Sequence, residues 1–134
     1  MIEPVDFIAM TVKMEAEGED FTGKLCVAYV IVNRMQQRRQ SASDVVLAPF
    51  QFSCWNTKEP PRLRLDDQET NRQVWIDSYK AAWAALYGIL PDPTRGCTSY
   101  LNPAACTPQQ KKNAVYVESA VRLEHGRHHF FIET

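Results

Sequence analysis

The sequence is poor in the features that mark several large classes of protein. No apolar run approaches the roughly 20 residues that a membrane-spanning helix needs, so we expect no membrane insertion. Its 15 basic and 16 acidic residues give a net charge of -1, whereas proteins that hold nucleic acid through their net charge are strongly basic. The 3 histidines and 4 cysteines show no CxxC spacing. We therefore predict no nucleic-acid partner, no metal site and no other cofactor.

What the sequence does contain is the composition of an ordinary globular domain. Apolar residues make up 45% of the 134 residues and charged residues 23%, which excludes disordered, collagen-like and coiled-coil chains. Single domains of about 100–150 residues are the commonest, and no repeat or Gly/Ser linker interrupts the chain. We predict one domain spanning residues 1–134 and expect a monomer.

The N-terminus and the cysteines bear on the compartment in which the protein is made. The first six residues, MIEPVD, are acidic and lack the basic and apolar segments of a secretory signal. We therefore expect a protein made in the cytoplasm without a signal peptide. Cys97 and Cys106 flank the turn signal Asn102-Pro103, so a disulfide between them could form in an oxidising compartment, although we expect reduced cysteines.

The spacing of apolar residues predicts three long helices. The first covers about residues 4–17, because the proline that opens it is tolerated in a first helical turn. Asp20 is expected to cap the second, which covers about residues 20–39 and is apolar on nearly every side, as a central helix is. The third is predicted over about residues 66–87, with Gly88 at its C′ position. Its apolar stripe is expected to comprise Val74, Trp75, Tyr79, Ala82, Trp83 and Leu86.

The remaining segments predict loops and strands. A short turn capped by Ser43 or Asp44 is expected before Pro49, and prolines mixed with aromatic residues predict an irregular loop over about residues 50–64. After residue 93 the composition changes to that of strands and turns, with predicted strands at about residues 98–101, 115–123 and 128–132 and a hairpin turn at 125–127. The fold class is therefore α+β, mostly helical, with three main helices followed by a small antiparallel sheet.

Four acidic residues crowd the segment between the first two helices. Acids at a helix C-terminus oppose the macrodipole at a cost of about 0.3–1 kcal/mol each. One interpretation is a solvated connector in which Asp20 caps the next helix. The other is a general acid beside a cleft, with Met14 and Phe21 as apolar walls. The pattern of residues alone does not decide between these two interpretations. The four acids are Glu15, Glu17, Glu19 and Asp20.

Residues 15–34 resemble the signature of a known family. They read EAEGEDFTGKLCVAYVIVNR, and the signature is a Glu, two variable residues, Gly-Glu, a short spacer, Gly, and an alanine- and valine-rich helix that ends in Asn-Arg. This is the pattern of the SleB-like cell wall hydrolases, a spore cortex-lytic family with many phage-encoded members. Later segments are similar to the family in the same order: QFSCW (51–55), AAWAALYG (81–88), SYLNP (99–103) and GRHHFF (126–131). The resemblance covers about residues 5–131.

The resemblance implies a lysozyme-like or lytic-transglycosylase-like fold and cleavage of the peptidoglycan glycan strand between N-acetylmuramic acid and N-acetylglucosamine. Glu15 matches the family's catalytic acid. In the family, one carboxylic acid protonates the glycosidic oxygen, and the resulting carboxylate then deprotonates the muramyl 6-hydroxyl, which closes a 1,6-anhydro ring. A single Glu serves both steps, and the resemblance implies no cofactor.

The resemblance also implies contacts to the sugars. Tyr100 and Asn102 match the cleft segment, and Ser53 and Trp55 match the aromatic loop. Aromatic faces stack on pyranose rings, and a side-chain amide can bond an N-acetyl group. The structural alternatives are a strand packing residue for Tyr100, a turn residue for Asn102 and a cover over the core for Trp55.

Two further residues, Glu19 and His128, match the family but have roles that the resemblance leaves open. Glu19 could hold a sugar hydroxyl or repel the charge of Glu15, or it could accept backbone N–H bonds at the start of the next helix, which we favour slightly. His128 is expected to support the cleft. Met14 and Glu17 depart from the small residue and the Arg that are usual in the family, which bears on local electrostatics and substrate preference.

Three other functions stay open. A hydrolytic muramidase would use the same cleft with water as nucleophile and Glu19 or Glu17 as its second carboxylate. A non-enzymatic wall-binding or virion structural module would have lost the chemistry, which the retained Glu15 argues against. An amidase would need a metal-ligand set or a Cys–His pair such as Cys54 with His128, and no motif surrounds either residue.

The phage-encoded members of the family also suggest a biological setting. We expect a bacteriophage endolysin that a holin-type partner releases to the cell wall during host cell lysis, or an enzyme carried in a virion. The expected partner is the peptidoglycan glycan strand.

Overall fold

The computed structural model describes residues 2–48, 52 and 72–132. Helices dominate the first part, and a three-stranded sheet follows, which confirms the predicted α+β class. None of the helices in the described part combines the length and the hydrophobicity that crossing a membrane would need. The elements are α1 (Pro4–Glu15), α2 (Phe21–Arg38), α3 (Ala42–Leu47), α4 (Arg72–Leu86), β1 (Ser99–Leu101), α5 (Pro108–Asn113), β2 (Val121–His125) and β3 (His128–Phe131), with 3-10 turns at Pro103–Ala105 and Glu118–Ala120.

Helix α1 ends two residues earlier than predicted, at Glu15. The predicted proline does open it, and Glu3 and Asp6 form a capping box around its first turn. At the other end the N–H of Ala16 still bonds Val12 O at 2.8 Å, but the N–H of Glu19 turns back to Ala16 O at 3.0 Å. This turn, rather than another helical turn, connects α1 to α2.

Helix α2 is the central element, as predicted. Asp20 caps it by accepting a 2.8 Å hydrogen bond from Gly23 N. Every residue from 23 to 32 is buried, because α2 contacts α1, α3, α4 and β1. The next helix, α3, is capped by Ser41, whose Oγ accepts from Asp44 N at 3.1 Å, so the predicted caps at Ser43 and Asp44 are wrong.

Helix α4 packs against both α1 and α2 through a face rich in alanine. Gly88 follows it with a φ of +63°, which confirms the predicted C′ glycine; the predicted start at residue 66 lies outside the described residues. The placement of Trp83 on the packed stripe is wrong, because this side chain is 46% exposed. Trp83 instead lies on the exposed side of α4, where it stacks on Tyr87. The buried residues are Trp75, Ser78, Ala81, Ala82, Ala84 and Ala85.

The sheet is antiparallel with the strand order β1-β3-β2. Tyr100 pairs with Phe130, and the predicted hairpin closes where His125 pairs with His128. The predicted strand over residues 115–123 is wrong in its first part: strand β2 begins at Val121, after a 3-10 turn. Val115 has a φ of +56°, which no strand residue adopts.

Candidate active site

Glu15 is the last residue of α1 and is half-buried at the corner where the chain turns towards α2. Its Oε1 atom is buried and has no hydrogen-bond partner among the described residues. Buried carboxylate oxygens are normally hydrogen-bonded, so an oxygen without a protein partner is suited to bonding a ligand. Met14, considered as an apolar wall, is 45% exposed, and its place in a cleft stays a prediction.

A buried lysine holds the acidic connector between α1 and α2. Lys24 is only 4% exposed, and its ammonium donates to the backbone carbonyls of Glu17, at 3.4 Å, and of Glu19. The cation therefore offsets part of the negative charge that four acids place at this corner. Of these acids, Glu17 is exposed to solvent, whereas Glu15 and Glu19 are half-buried.

Glu19 points from the connector towards the hairpin of β2 and β3. Its side chain is 15% exposed, and Oε1 lies 3.7 Å from Nδ1 of His128, whose own side chain is 13% exposed. This distance is too long for a hydrogen bond. The structural role predicted for Glu19, accepting N–H bonds at the start of α2, is not what the structure has, because Asp20 takes that role.

His128 is the first residue of β3, and its ring lies close enough to the two half-buried acids for both to act on its charge. Burial lowers its pKa below the usual 6.5, while the carboxylates of Glu19 and Glu15 act in the opposite direction. The ring is therefore neutral at pH 7. Its Nδ1 is buried and has no hydrogen-bond partner among the described residues. His128 and Glu15 thus each present a buried polar atom that the described part of the protein leaves unbonded.

Tyr100 lies beside His128, so strands β1 and β3 bring two predicted site residues together. The two ring centroids are 4.8 Å apart in an edge-on arrangement, and the Tyr100 ring also lies 5.7 Å from that of Phe130. The half-buried tyrosine therefore packs on the sheet, as the structural alternative predicts, while lying next to the histidine. The roles of both residues towards a ligand remain predictions.

Asn102 follows β1 and acts as a cap. Its Oδ1 accepts a 3.2 Å hydrogen bond from Ala104 N and so begins the 3-10 turn Pro103–Ala105. The carbonyl end of the amide is thus engaged within the protein, and the sugar contact predicted for Asn102 would use the NH₂ group. The predicted sugar contacts at Ser53 and Trp55, and the thiol of Cys54, lie outside the described residues.

The contact between Asp20 and His125 was not predicted from the sequence. His125 Nε2 lies 2.7 Å from Asp20 Oδ1, which joins the start of α2 to the β2–β3 hairpin beside Glu19. The hydrogen bond from Gly23 N and then that to His125 hold the pKa of Asp20 below its usual value. A carboxylate and a histidine 105 positions apart give no local sequence signal.

A second set of hydrogen bonds that was not predicted supports the sheet rather than the candidate site. Asn33 Nδ2 donates to Asp92 Oδ2 and to Cys97 O, both at 2.9 Å, and Asp92 also accepts from Thr94 N and Gly96 N. Asn33 of the signature and the turn at residues 92–96 therefore meet in one hydrogen-bond network. Cys26, Cys97 and Cys106 are free thiols, so the disulfide considered for Cys97 and Cys106 is not formed.

The described residues contain no group of three or more His, Cys, Asp or Glu side chains that could hold a metal ion. The site that the described residues form is therefore built from a glutamate with an unbonded oxygen, a second glutamate and a neutral histidine. Such a set can give and accept a proton and can stabilise a developing positive charge.

Comparisons with known proteins agree with this architecture. A family model described as cell wall hydrolase matches residues 18–131. The spore cortex-lytic enzyme of Halalkalibacterium halodurans is 30% identical over 105 residues, which are 77% of this chain and 28% of that protein. The chain therefore spans less than a third of the length of this curated relative.

Two solved structures have the same fold. They are the catalytic domain of the Bacillus cereus SleB protein and that of the germination-specific lytic transglycosylase SleB from Bacillus anthracis, each with a TM-score of 0.68 at 23% identity. The superpositions cover 96% of this chain and 88% and 93% of those two chains. Since the family model also spans most of the sequence, the chain belongs to the cell wall hydrolase family.

Proposed function

We propose that this protein cleaves the glycan strand of peptidoglycan as a lytic transglycosylase, with Glu15 as its acid and base. The observation that carries the proposal is the buried Oε1 of Glu15, which has no partner in the described part of the protein although it lies next to a hydrogen-bonded corner. The family model begins after Glu15, so the geometry of this residue, and not the match, supports its role.

The relatives support the choice of substrate. One is named as a spore cortex-lytic enzyme and another as a germination-specific lytic transglycosylase. Glycan strands of alternating N-acetylglucosamine and N-acetylmuramic acid are the substrate on which a lytic transglycosylase acts. We transfer this substrate class to the present chain as part of the proposal.

The proposed reaction has two steps that share one carboxyl group. Protonated Glu15 gives its proton to the glycosidic oxygen, and the bond from muramyl C1 to that oxygen breaks, which leaves an oxocarbenium-like sugar. The Glu15 carboxylate then takes the proton of the muramyl 6-hydroxyl as that oxygen bonds C1. The 1,6-anhydro ring forms, Glu15 is protonated again and no water is consumed.

The surroundings of Glu15 fit this reaction better than hydrolysis. A muramidase needs a second carboxylate that activates a water molecule or attacks the sugar. Glu17 is exposed, and the carboxylate of Glu19 is enclosed by the hairpin and His128. In our proposal the negative charge of the Glu19 carboxylate stabilises the oxocarbenium-like sugar from nearby.

The experiment is mass spectrometry of purified peptidoglycan after digestion. We expect muropeptides that end in 1,6-anhydro-N-acetylmuramic acid and are one water lighter than muramidase products. Reducing N-acetylmuramic acid ends alone, in a digest free of other enzymes, would replace the transglycosylase by the muramidase. Absence of any cleavage would favour the wall-binding module.

The endolysin setting is a separate part of the proposal. We propose that the protein acts on the cell wall after release through a holin-type partner, and as a monomer. Lysis of cells that produce the protein together with a holin, but not of cells that produce it alone, would support this release route. Light scattering of the purified protein measures its mass in solution.

A further inference from the structure

A concave surface lies along α4, and neither Glu15 nor His128 lines it. It is a groove with a volume of about 1110 Å³, here termed the α4 groove, and its apolar walls include Phe21, Trp75, Ile76, Trp83 and Leu90. None of the described residues that line it is a candidate catalytic or sugar-contact residue. A groove of this size can hold a ligand larger than one sugar.

The walls of the α4 groove expose aromatic and aliphatic surface to solvent. Trp83 is 46% exposed and stacks on Tyr87, which is 61% exposed, with 4.9 Å between the ring centroids. Ile76 and Leu90 are also exposed. Contiguous apolar patches of this kind on a protein surface usually mark binding sites. A flat aromatic pair is in addition a stacking platform for a pyranose ring.

The charges of the α4 groove have one sign. Its described lining contains Arg72 and Lys80 and no acidic residue, and neither cation forms an ion pair with another described residue. Cations beside apolar walls favour a ligand that carries carboxylates. The overall charge of the chain is slightly negative, so this local excess is a property of the groove.

A buried donor in the α4 groove also lacks an acceptor. The Nε1 atom of Trp75, a residue that is only 6% exposed, is buried and makes no hydrogen bond in the described part of the chain. Buried N–H groups are nearly always bonded. A carbonyl oxygen of a bound amide, from a peptide or an N-acetyl group, would supply the acceptor.

The α4 groove begins close to the segment that carries Glu15. Lys13, two positions before Glu15, has its Nζ 5.6 Å from the centroid of the Trp75 ring. Phe21, another lining residue, opens α2 directly after the acidic connector. From there the groove follows α4 to Leu90. The start of the groove therefore lies near the last turns of α1 and the first residue of α2, which flank Glu15 in the chain.

From these four observations we propose that the α4 groove binds the acidic peptide stem of a muramyl residue in the strand that Glu15 cleaves. The stem carboxylates pair with Arg72 and Lys80, an amide carbonyl accepts from Trp75, and the attached sugar stacks on Trp83. This inference rests on the proposed function, because that proposal identifies the bound polymer as a peptidoglycan glycan strand. Contacts far from the reacting bond would supply binding energy that aligns this bond with Glu15.

The test measures binding without turnover. Glu15→Gln protein is titrated calorimetrically with soluble four-sugar strands that carry peptide stems, and with the same strands after an amidase has removed the stems. We expect stem removal to weaken binding at least tenfold. In the same background, Arg72→Glu combined with Lys80→Glu should weaken binding of stem-bearing strands by a similar factor and leave stem-free strands within twofold. Lys112→Glu, at an exposed lysine on α5, is the control for reversing a surface charge away from the groove.

Other outcomes would overturn the inference. Equal binding of the two strands, or an equal loss in Lys112→Glu and in the groove variant, excludes specific stem recognition. If Trp83→Ala changes the mass of the free protein in solution but not its affinity for stems, the groove is a contact between two copies of this chain. A protein that binds stems but does not cleave strands would refute only the proposed function.

Discussion

The carboxylate of Glu19 occupies the space that a side chain at Gly126 would need. A Cβ built on Gly126 would lie 2.3 Å from Glu19 Oε2, far inside van der Waals contact. Gly23 stands in a similar relation, because its Cβ would lie 2.8 Å from Glu19 Cβ. Two glycines 103 positions apart therefore leave room for one acid, which links residues 18–23 of the signature to the GRHHFF segment (126–131).

We expect Gly126→Ala to lower both stability and activity. Gly126 has a φ of +58°, where an alanine is strained by about 1 kcal/mol, and the added methyl group must displace the Glu19 carboxylate from His128. Thermal unfolding should show a lower Tm, and the rate of strand cleavage should fall by about tenfold or more.

Gly88→Ala is the matched control for this substitution. Gly88 has a φ of +63°, but a Cβ added there would meet no described atom within 4 Å, so alanine adds the backbone strain without touching Glu19. It should lower the Tm through this strain alone, by less than Gly126→Ala does, and leave cleavage unchanged. An equal loss of cleavage in the two variants would mean that stability alone explains the effect at Gly126.

Glu15→Gln should abolish cleavage and leave the fold intact. The amide has the shape of the carboxyl group but can neither give nor retake a proton, and general acid–base catalysis contributes about 10²–10⁴-fold. The rate of release of soluble muropeptides measures the loss, and circular dichroism checks the fold. Glu17→Gln, at the exposed acid two positions away, should remain active. Substantial turnover by purified Glu15→Gln protein would exclude Glu15 as the acid.

Local rules account for most of the fold. The N-cap at Asp20, the proline of α1 and Gly88 after α4 each act through the few residues around them, and the structure has all three. The strand prediction over residues 115–120 failed because Val115 and Val117 imitate an alternating strand, although both side chains are exposed. The capping box of Thr107 and Gln110 begins α5, which runs to Asn113. This local signal predicts a helix directly before residue 115 and could have corrected the strand prediction.

Less of the candidate site could be predicted from the sequence. The resemblance singled out Glu19 and His128, but the enclosure of Glu19 by two glycines depends on a hairpin that approaches the corner in three dimensions. The same holds for Asp20 with His125. Such long-range contacts follow from the packing of elements and leave no periodic or local pattern to read.

We expect Glu19→Gln to give a weaker but measurable enzyme. The amide keeps the shape beside Gly126 and removes the negative charge that we propose stabilises the oxocarbenium-like sugar, whereas the proton transfers of Glu15 remain. kcat should fall by about 10–100-fold with little change in KM. If the variant were as inactive as Glu15→Gln, a mechanism with two essential carboxylates would replace the single-Glu proposal.

The last prediction concerns His128 and the loss of stability in mild acid. Its pKa is lowered in the folded protein by burial, with smaller effects from Arg127 and His125, and is only partly restored by Glu19 and Glu15. Below pH 6.5 the imidazole therefore binds a proton in the unfolded chain more readily than in the folded protein. As the pH drops from 6.5 towards the folded pKa, the free energy of unfolding falls. Above pH 6.5 this group does not change the free energy of unfolding. Replacing the imidazole by an amide, which does not titrate, removes this contribution. Urea unfolding at pH 7.5 and pH 5.5 should give a smaller difference for His128→Gln than for the unmodified protein. An undiminished difference would mean that other groups cause the acid sensitivity and that the imidazole of His128 is no harder to protonate in the folded state.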